Sequence, residues 1–251
     1  MGLRIIATIV YIFLYAPIFI VIAYSFDANK LGVSWTGFTW QWYQQLFEDD
    51  ALLSALRNSL IVAGVSVSVS AVLGTMAAVG LARYKFPGVG LVRTLTMLPV
   101  IIPEIAMAVS ALTLFVALGM KLSLITIIIS HIVFCLAYIT LVVLGRLQGL
   151  DPRLEEAARD LGATPIAAFF KVTLPLLMPG ILSGCLLAFV LSLDDFVITQ
   201  FTAGVGSTTL PLWIYSSVKF GVSPEINALS TIMILLTAGA LVASQLIRQR
   251  S

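Results

Sequence analysis

Charge is what this sequence has least of. Only 10% of its 251 residues are Asp, Glu, Lys or Arg, whereas 60% are hydrophobic. Soluble domains carry roughly 25% charged and about 45–50% apolar residues. Fourteen cations and twelve anions are too few to cover a soluble fold of this length, so the chain is expected to lie mostly in lipid. That excludes a cytosolic enzyme, a disordered protein and a nucleic-acid binder, and the net charge of +2 is a matter of membrane topology. Cysteine is equally scarce. Cys135 and Cys185 both fall inside apolar runs, which excludes a disulfide scaffold. One histidine, His131, and no Cys-x-x-Cys pair give no metal site. There is no G-x-x-x-x-G-K-[ST] loop, so the chain has nothing of its own with which to cradle and hydrolyse ATP.

What the sequence has in abundance is long apolar runs. Six of them, 5–26, 58–82, 91–118, 122–145, 178–199 and 227–247, are long enough to cross roughly 30 Å of hydrocarbon, which takes about 20 helical residues. The first exceeds a signal peptide's apolar segment and lacks a following A-x-A site, so it reads as a retained span. The runs are continuous rather than alternating, which predicts spanning helices. With the N-terminus inside, only Lys30, Arg57, Lys121 and Lys219 fall on the outer side and the other ten cations fall inside. This is the positive-inside bias, and it predicts that both termini are cytoplasmic.

Two connecting segments carry more than topology. The outer one, 27–57, is rich in Trp and Tyr. Thr39 is a predicted N-cap, and Trp40, Tyr43, Leu46 and Phe47 fall at i, i+3, i+6 and i+7, as in a short amphipathic helix anchored at the interface. The inner segment, 146–177, is densely punctuated. Asp151 can cap a helix with Pro152 at its first position. Leu154, Ala157, Ala158 and Leu161 then form one apolar stripe. Gly162 suits the residue after the helix end, and Thr164-Pro165 restarts the same device for a second helix over 166–172. Pro175 and Pro179 are expected to break the chain before the fifth span. Two short helices joined by a glycine turn are therefore predicted on the cytoplasmic face. They either pack on their own bundle or meet another surface.

Glu156-Ala157-Ala158, three residues, Gly162, nine residues, Val172, one residue and Leu174-Pro175 resemble the EAA loop of binding-protein-dependent ABC importer permeases. Valine in place of the family's isoleucine is the one departure. The resemblance implies an all-α type I importer permease with six transmembrane helices. Residues 1–251 would form one transmembrane domain, with a coupling loop over 151–175. In that loop Glu156, Ala157, Ala158, Gly162, Leu174 and Pro175 would serve the docking of an ATPase. The stretches LSLDDFVITQF (191–201) and STTLPLWIYSSVKFGVSPEINALST (207–231), with FTWQWYQQLF and LRNSLIVA earlier in the chain, resemble the polyamine branch of the family, the spermidine/putrescine permeases. By that resemblance the chain is a multi-pass subunit in the lipid of the bacterial inner membrane and is not itself an enzyme. Its partners would be a second permease, two copies of a cytoplasmic ATPase that bind ATP and Mg, and a periplasmic polyamine-binding protein.

Few ionisable residues lie inside the runs, where a charge costs several kcal/mol and marks a functional position by default. Glu104 follows Pro103 about 20 Å into the third run, and Asp194 and Asp195 lie about 24 Å into the fifth, at 1.5 Å per residue. All are negative. A polyamine passing through needs carboxylates for its amines and apolar or aromatic walls for its methylenes. The outer segment adds four carboxylates against two cations, which favours cations at the entrance. Adjacent residues on a helix point about 100° apart, so one aspartate is predicted to face the passage and the other to cap a broken helix or pair with a partner subunit. Glu104 has an alternative duty, satisfying backbone groups freed near Pro99 and Pro103. His131 reads as a hydrogen-bonded packing residue, and Gly64, Gly74 and Gly80 as close helix contacts. Other readings fit less well. A hydrolase would pair a nucleophile with a base, but Ser130 and His131 are chain neighbours and face apart. An ion-coupled secondary transporter would show internal repeats. Importers of ferric ion or thiamine remain alternatives within the class.

Overall fold

In hydrocarbon every backbone N–H and C=O must find its partner within the protein, and a continuous apolar run achieves this only as helix. The computed structural model, which describes residues 2–29, 35–151, 153–219, 221 and 224–235, is accordingly almost wholly helical. In chain order its helices are α1 (Gly2–Tyr24), α2 (Gln41–Glu48), α3 (Asp50–Arg83), α4 (Val89–Ile101), α5 (Glu104–Ala117), α6 (Leu124–Gln148), α7 (Arg153–Asp160) and α8 (Pro165–Ala168). A π-helical turn, Phe169–Thr173, leads into α9 (Leu174–Asp194), followed by α10 (Val197–Thr202), α11 (Leu210–Lys219) and α12 (Pro224–Leu235). The chain divides into two compact units, Met1–Ser54 with Trp213–Ser251, and Ala55–Leu212.

In the first unit the predicted short helix is present as α2. It begins at Gln41, and the Thr39 hydroxyl accepts the Gln41 N–H at 3.2 Å although Trp40 holds the cap position. Its buried residues are Trp42 and Leu46, while Trp40 and Phe47 of the predicted face are exposed. The cause is polar. The Trp42 indole N–H donates to the Asp27 carbonyl at 2.6 Å, which draws that ring inward. Trp40 instead packs edge-to-face with Phe26 and Phe38 and at a tilt against Tyr43. Asp27 is itself a buried organiser, accepting from the Thr36 and Asn29 N–H groups at 2.9 and 3.2 Å. The Thr36 N–H holds its carboxyl below the usual aspartate range, against the opposing effect of burial.

Helix α3 has 34 residues, about 50 Å at 1.5 Å per residue, and so overshoots the predicted 58–82 run. Its early start follows from Asp49, whose carboxylate accepts the Ala51 and Leu52 N–H groups at 2.8 and 3.0 Å. Polar bridges join α3 to α6. Ser66 donates to the Ile128 carbonyl, Ser70 to Ile132 and Thr140 to Gly74, each at 3.2 Å. Inside a membrane such bonds supplement close packing. A Cβ on Gly74 would lie 3.1 Å from Ile139, so this glycine is a close contact as expected. Gly64 and Gly80 are not, because nothing lies within 4 Å of where their Cβ atoms would be. The tightest seam is α6 against α9. There a Cβ on Gly180 would sit 2.8 Å from the Arg146 Cβ, and one on Gly184 would sit 3.4 Å from the Ile139 Cα.

Two predicted spans are reshaped. The 91–118 run is no straight crossing, since the chain bends by 111° between α4 and α5. Pro103 offers no N–H and forces Ile102 into an extended conformation with ψ 138, which ends α4. The fifth run is longer at its start and shorter at its end. Pro175 and Pro179 do not break it, and helical structure continues from Pro165 to Asp194. Pro175 falls in the first turn of α9, directly after the π-helical turn. There the hydrogen-bond ladder is already shifted, so the missing N–H costs little. The helix ends at Asp194 rather than Thr199, because Asp195 is extended. Among the described residues four helices are long and apolar enough to cross a membrane, and α4 with α5 makes a fifth if the bent pair is one span. Of the sixth run, α12 is seen. Residues 236–251, with Arg248 and Arg250, lie outside the described residues, as do Lys30 and Pro152.

Candidate functional site

Segment 151–175 folds as its punctuation dictates. The Asp151 carboxylate accepts the Arg153 N–H at 3.0 Å and starts α7. Gly162 has φ +89, the left-handed value that glycine adopts without penalty. The Gly162 N–H donates to Arg159 at 2.9 Å and the Ala163 N–H to Ala158 at 3.1 Å, the paired bonds of a Schellman ending. Thr164 then caps α8 through the Ala167 N–H at 3.2 Å. The chain's own bundle does not cover the predicted stripe. Leu154, Ala157 and Leu161 are exposed, Leu161 at 91%, and Ala158 is half-buried. Glu156, Gly162 and Pro175 are also exposed, whereas Leu174 is half-buried. Ile166 and Phe170 extend the apolar surface at 73% and 59% exposure.

A second constellation lies at the far end of α9. Glu104, Asp194 and Asp195 all line one open cavity of about 230 Å³, together with Pro99, Met107, Phe134, Tyr138 and the 196–198 turn. The broken third run delivers Glu104, which becomes the first residue of α5. The early end of α9 delivers Asp194. Neither carboxylate has a hydrogen-bond or ion-pair partner among the described residues, and both are exposed. Asp194 sits at the negative end of its helix, where a carboxylate costs about 0.3–1 kcal/mol. Helix stability therefore does not account for its presence.

Asp195 has a different duty. Its side chain is 6% exposed. It accepts from the Thr199 N–H and hydroxyl, both at 2.8 Å, and from the Ile198 N–H at 3.3 Å, and so caps α10. His131 on α6, 1% exposed, places Nε2 3.3 Å from the same carboxylate and Nδ1 2.8 Å from the Ser192 hydroxyl. One proton on Nε2 satisfies the whole set, with Nδ1 accepting from Ser192. This network ties α6, α9 and α10 together at the cavity wall. Of the duties open to the two aspartates, capping a broken helix falls to Asp195. The predicted divergence of the pair is realised by the helix ending between them, and both still border the cavity. The His131–Asp195 contact spans 64 residues of sequence and has no local signal. The aromatic wall does have one, because His131, Phe134 and Tyr138 fall at i, i+3 and i+7 on one face of α6.

Residues 70–250 match the family described as binding-protein-dependent transport system inner membrane component. The chain belongs to this family. The permease is 42% identical over 243 residues to the spermidine/putrescine transport system permease protein PotC of Haemophilus influenzae, across 97% of this chain and 95% of that protein. It is 46% identical over 229 residues to the putrescine transport system permease protein PotI of Escherichia coli K12, across 88% of this chain and 82% of that one. Its fold is similar to that of a bacterial alginate ABC transporter solved with an alginate pentasaccharide-bound periplasmic protein. There the TM-score is 0.74 at 20% identity, over 96% of this chain and 91% of that chain. An amino acid ABC transporter matches with a TM-score of 0.62 at 19% identity, over 85% of this chain and all of that one. The permease is thus an all-α, multi-pass inner-membrane transport component with an ABC importer fold.

Proposed function

We propose that this permease forms half of the path by which putrescine or spermidine crosses the inner membrane, with all of residues 1–251 serving as one six-span transmembrane domain with cytoplasmic termini. The observation that carries the reading is a pair of carboxylates, Glu104 and Asp194, without a partner among the described residues, on one cavity walled by Phe134, Tyr138 and Met107. Two like charges facing one space are stabilised by a cation between them. At an effective dielectric of 20 a charge pair 4 Å apart is worth about 4 kcal/mol. A polyamine supplies separated ammonium groups for the carboxylates and methylenes for the aromatic and thioether walls. Asp195, already saturated by Thr199, Ile198 and His131, fixes the wall and does not bind the amine.

The partner set follows from the two ends of the molecule. The uncovered surface around Glu156, Ala157, Ala158, Gly162 and Leu161 is the docking face for one of two ATPase subunits, which bind the ATP and Mg. Leu174 and Pro175 open α9 behind it. A second permease completes the passage, and a periplasmic polyamine-binding protein delivers the solute. The test is uptake of radiolabelled putrescine and spermidine by the assembled complex in proteoliposomes, for the wild type, Asp194→Asn and Glu104→Gln. Both variants are expected to import at one tenth of the normal rate or less. Near-normal import by both would remove the cavity from the pathway.

A further inference from the structure

The family's docking residues leave Glu155 without a role, although it is the one side chain of α7 that hydrogen-bonds to another helical element among the described residues. Its carboxylate takes the Arg83 guanidinium and, at 2.7 Å, the Thr173 hydroxyl. A second Arg83 nitrogen donates to the same Thr173 hydroxyl at 3.3 Å. The three groups close a triangle across three helix ends. Arg83 is the last residue of α3, Glu155 lies in the first turn of α7, and Thr173 ends the π-helical turn. Each charge also sits at the helix end whose dipole favours it. Thr173 is 3% exposed, so the triangle is rooted in the packed interior. Burial alone would raise the Glu155 pKa. The bonds from Thr173 and Arg83 and the charges of Arg83 and Arg159 outweigh it, and the carboxyl lies below the usual glutamate range.

The position of this triangle gives it a use. A π-helical turn is a rare, single-turn departure from the α-helical ladder and is frequent at functional sites. This one joins the docking segment to α9, which runs without interruption for 21 residues to Asp194 at the cavity. Without a tie, a push on α7 would be absorbed in the turn. Glu156, next in sequence, faces outward and stays free for a partner.

We propose that Arg83, Glu155 and Thr173 form an internal latch that makes α7 and the base of α9 move as one piece, so that displacement of the docking face reaches the Asp194 cavity. They are positioning residues and touch neither ATP nor solute. The inference rests on the importer reading above. The test uses the complete complex, with both permeases, ATPase and binding protein, and measures ATP hydrolysed per amine imported. Thr173→Val removes the hydroxyl at nearly constant shape and Glu155→Gln removes the charge. Each is expected to raise that ratio at least fivefold while the ATPase stays bound in normal amount. Thr173→Ser keeps the hydroxyl and is expected to match the wild type. Exchanging the partners, Arg83→Glu with Glu155→Arg, is expected to recover much of what either single change loses. An unaltered ratio in Thr173→Val and Glu155→Gln would overturn the latch. So would equal losses in Thr173→Val and Thr173→Ser, or a loss of uptake matched by loss of bound ATPase. Failure of the substrate reading shows separately, as a wild-type complex that imports neither amine. The latch is then judged on whether Thr173→Val abolishes a stimulation of ATP hydrolysis by the binding protein that Thr173→Ser retains.

Discussion

Neutralising Asp194 and neutralising Asp195 are nearly identical changes in sequence, and the structure predicts that they act on different properties. Asp195→Asn keeps the volume but leaves one oxygen where two were accepting. The remaining oxygen can hold the Thr199 N–H and hydroxyl, now at 2.8 Å from a neutral acceptor. The new amide then faces the Ile198 N–H, donor against donor, and His131 loses its anion. Hydrogen bonds to a charged group contribute about 1.5–3 kcal/mol against about 0.5–1.5 for neutral ones. Losing one of the four and weakening the others should cost about 3 kcal/mol or more. Asp194→Asn disturbs no bond among the described residues and removes a carboxylate from the wrong end of a helix dipole. Its stability should hold or rise by up to about 1 kcal/mol. Its transport should fall tenfold or more, since tenfold corresponds to about 1.4 kcal/mol in a barrier. The assay is a thermal unfolding curve of the detergent-purified complex beside uptake per assembled complex. Asp195→Asn is expected to unfold several degrees early and Asp194→Asn to transport poorly from a complex of normal stability. Equal destabilisation by the two changes, or a thermally silent Asp195→Asn, would refute the division of labour.

Gly162→Leu forces a side chain onto a φ of +89 in open space, so membrane abundance should be normal while uptake collapses through a misplaced docking turn. Normal uptake would remove the turn from coupling. Gly180→Ala would press a methyl to 2.8 Å from the Arg146 Cβ and dislodge its Nε from the Leu176 carbonyl. It is expected to cost about 1–3 kcal/mol, read as a lower unfolding midpoint, and an unchanged midpoint would show that the α6–α9 seam is slack. Glu155 has a depressed pKa, so its contribution to holding α7 is complete above the ordinary glutamate value and is lost as the pH falls through its lower folded value. Hydrogen exchange in α7, corrected for the intrinsic rate, should therefore accelerate in acid in the wild type. In Glu155→Gln it should be fast already at neutral pH, and a variant as protected as the wild type at neutral pH would contradict this.

Much of this protein is written locally. Sparse charge and long apolar runs determine that it is helical and membrane-embedded, because lipid cannot satisfy an open backbone. The residues Asp151, Gly162 and Thr164 determine their caps and turn within a few residues of themselves, and so segment 151–168 was legible in detail. The proline-rich places were legible only in part. Whether a proline breaks a helix depends on what its neighbours can absorb, and Pro103 sits where α4 can end while Pro175 follows a π-helical turn that accommodates it. The burial of Trp42 in α2 had no local signal, because its indole bonds to a carbonyl fifteen residues away. What only the tertiary structure decided is which charges meet. His131 comes to Asp195 across 64 residues and Arg83 to Glu155 across 72, through helix packing that no local pattern encodes. That packing spends one aspartate on the frame and leaves its neighbour facing the cavity.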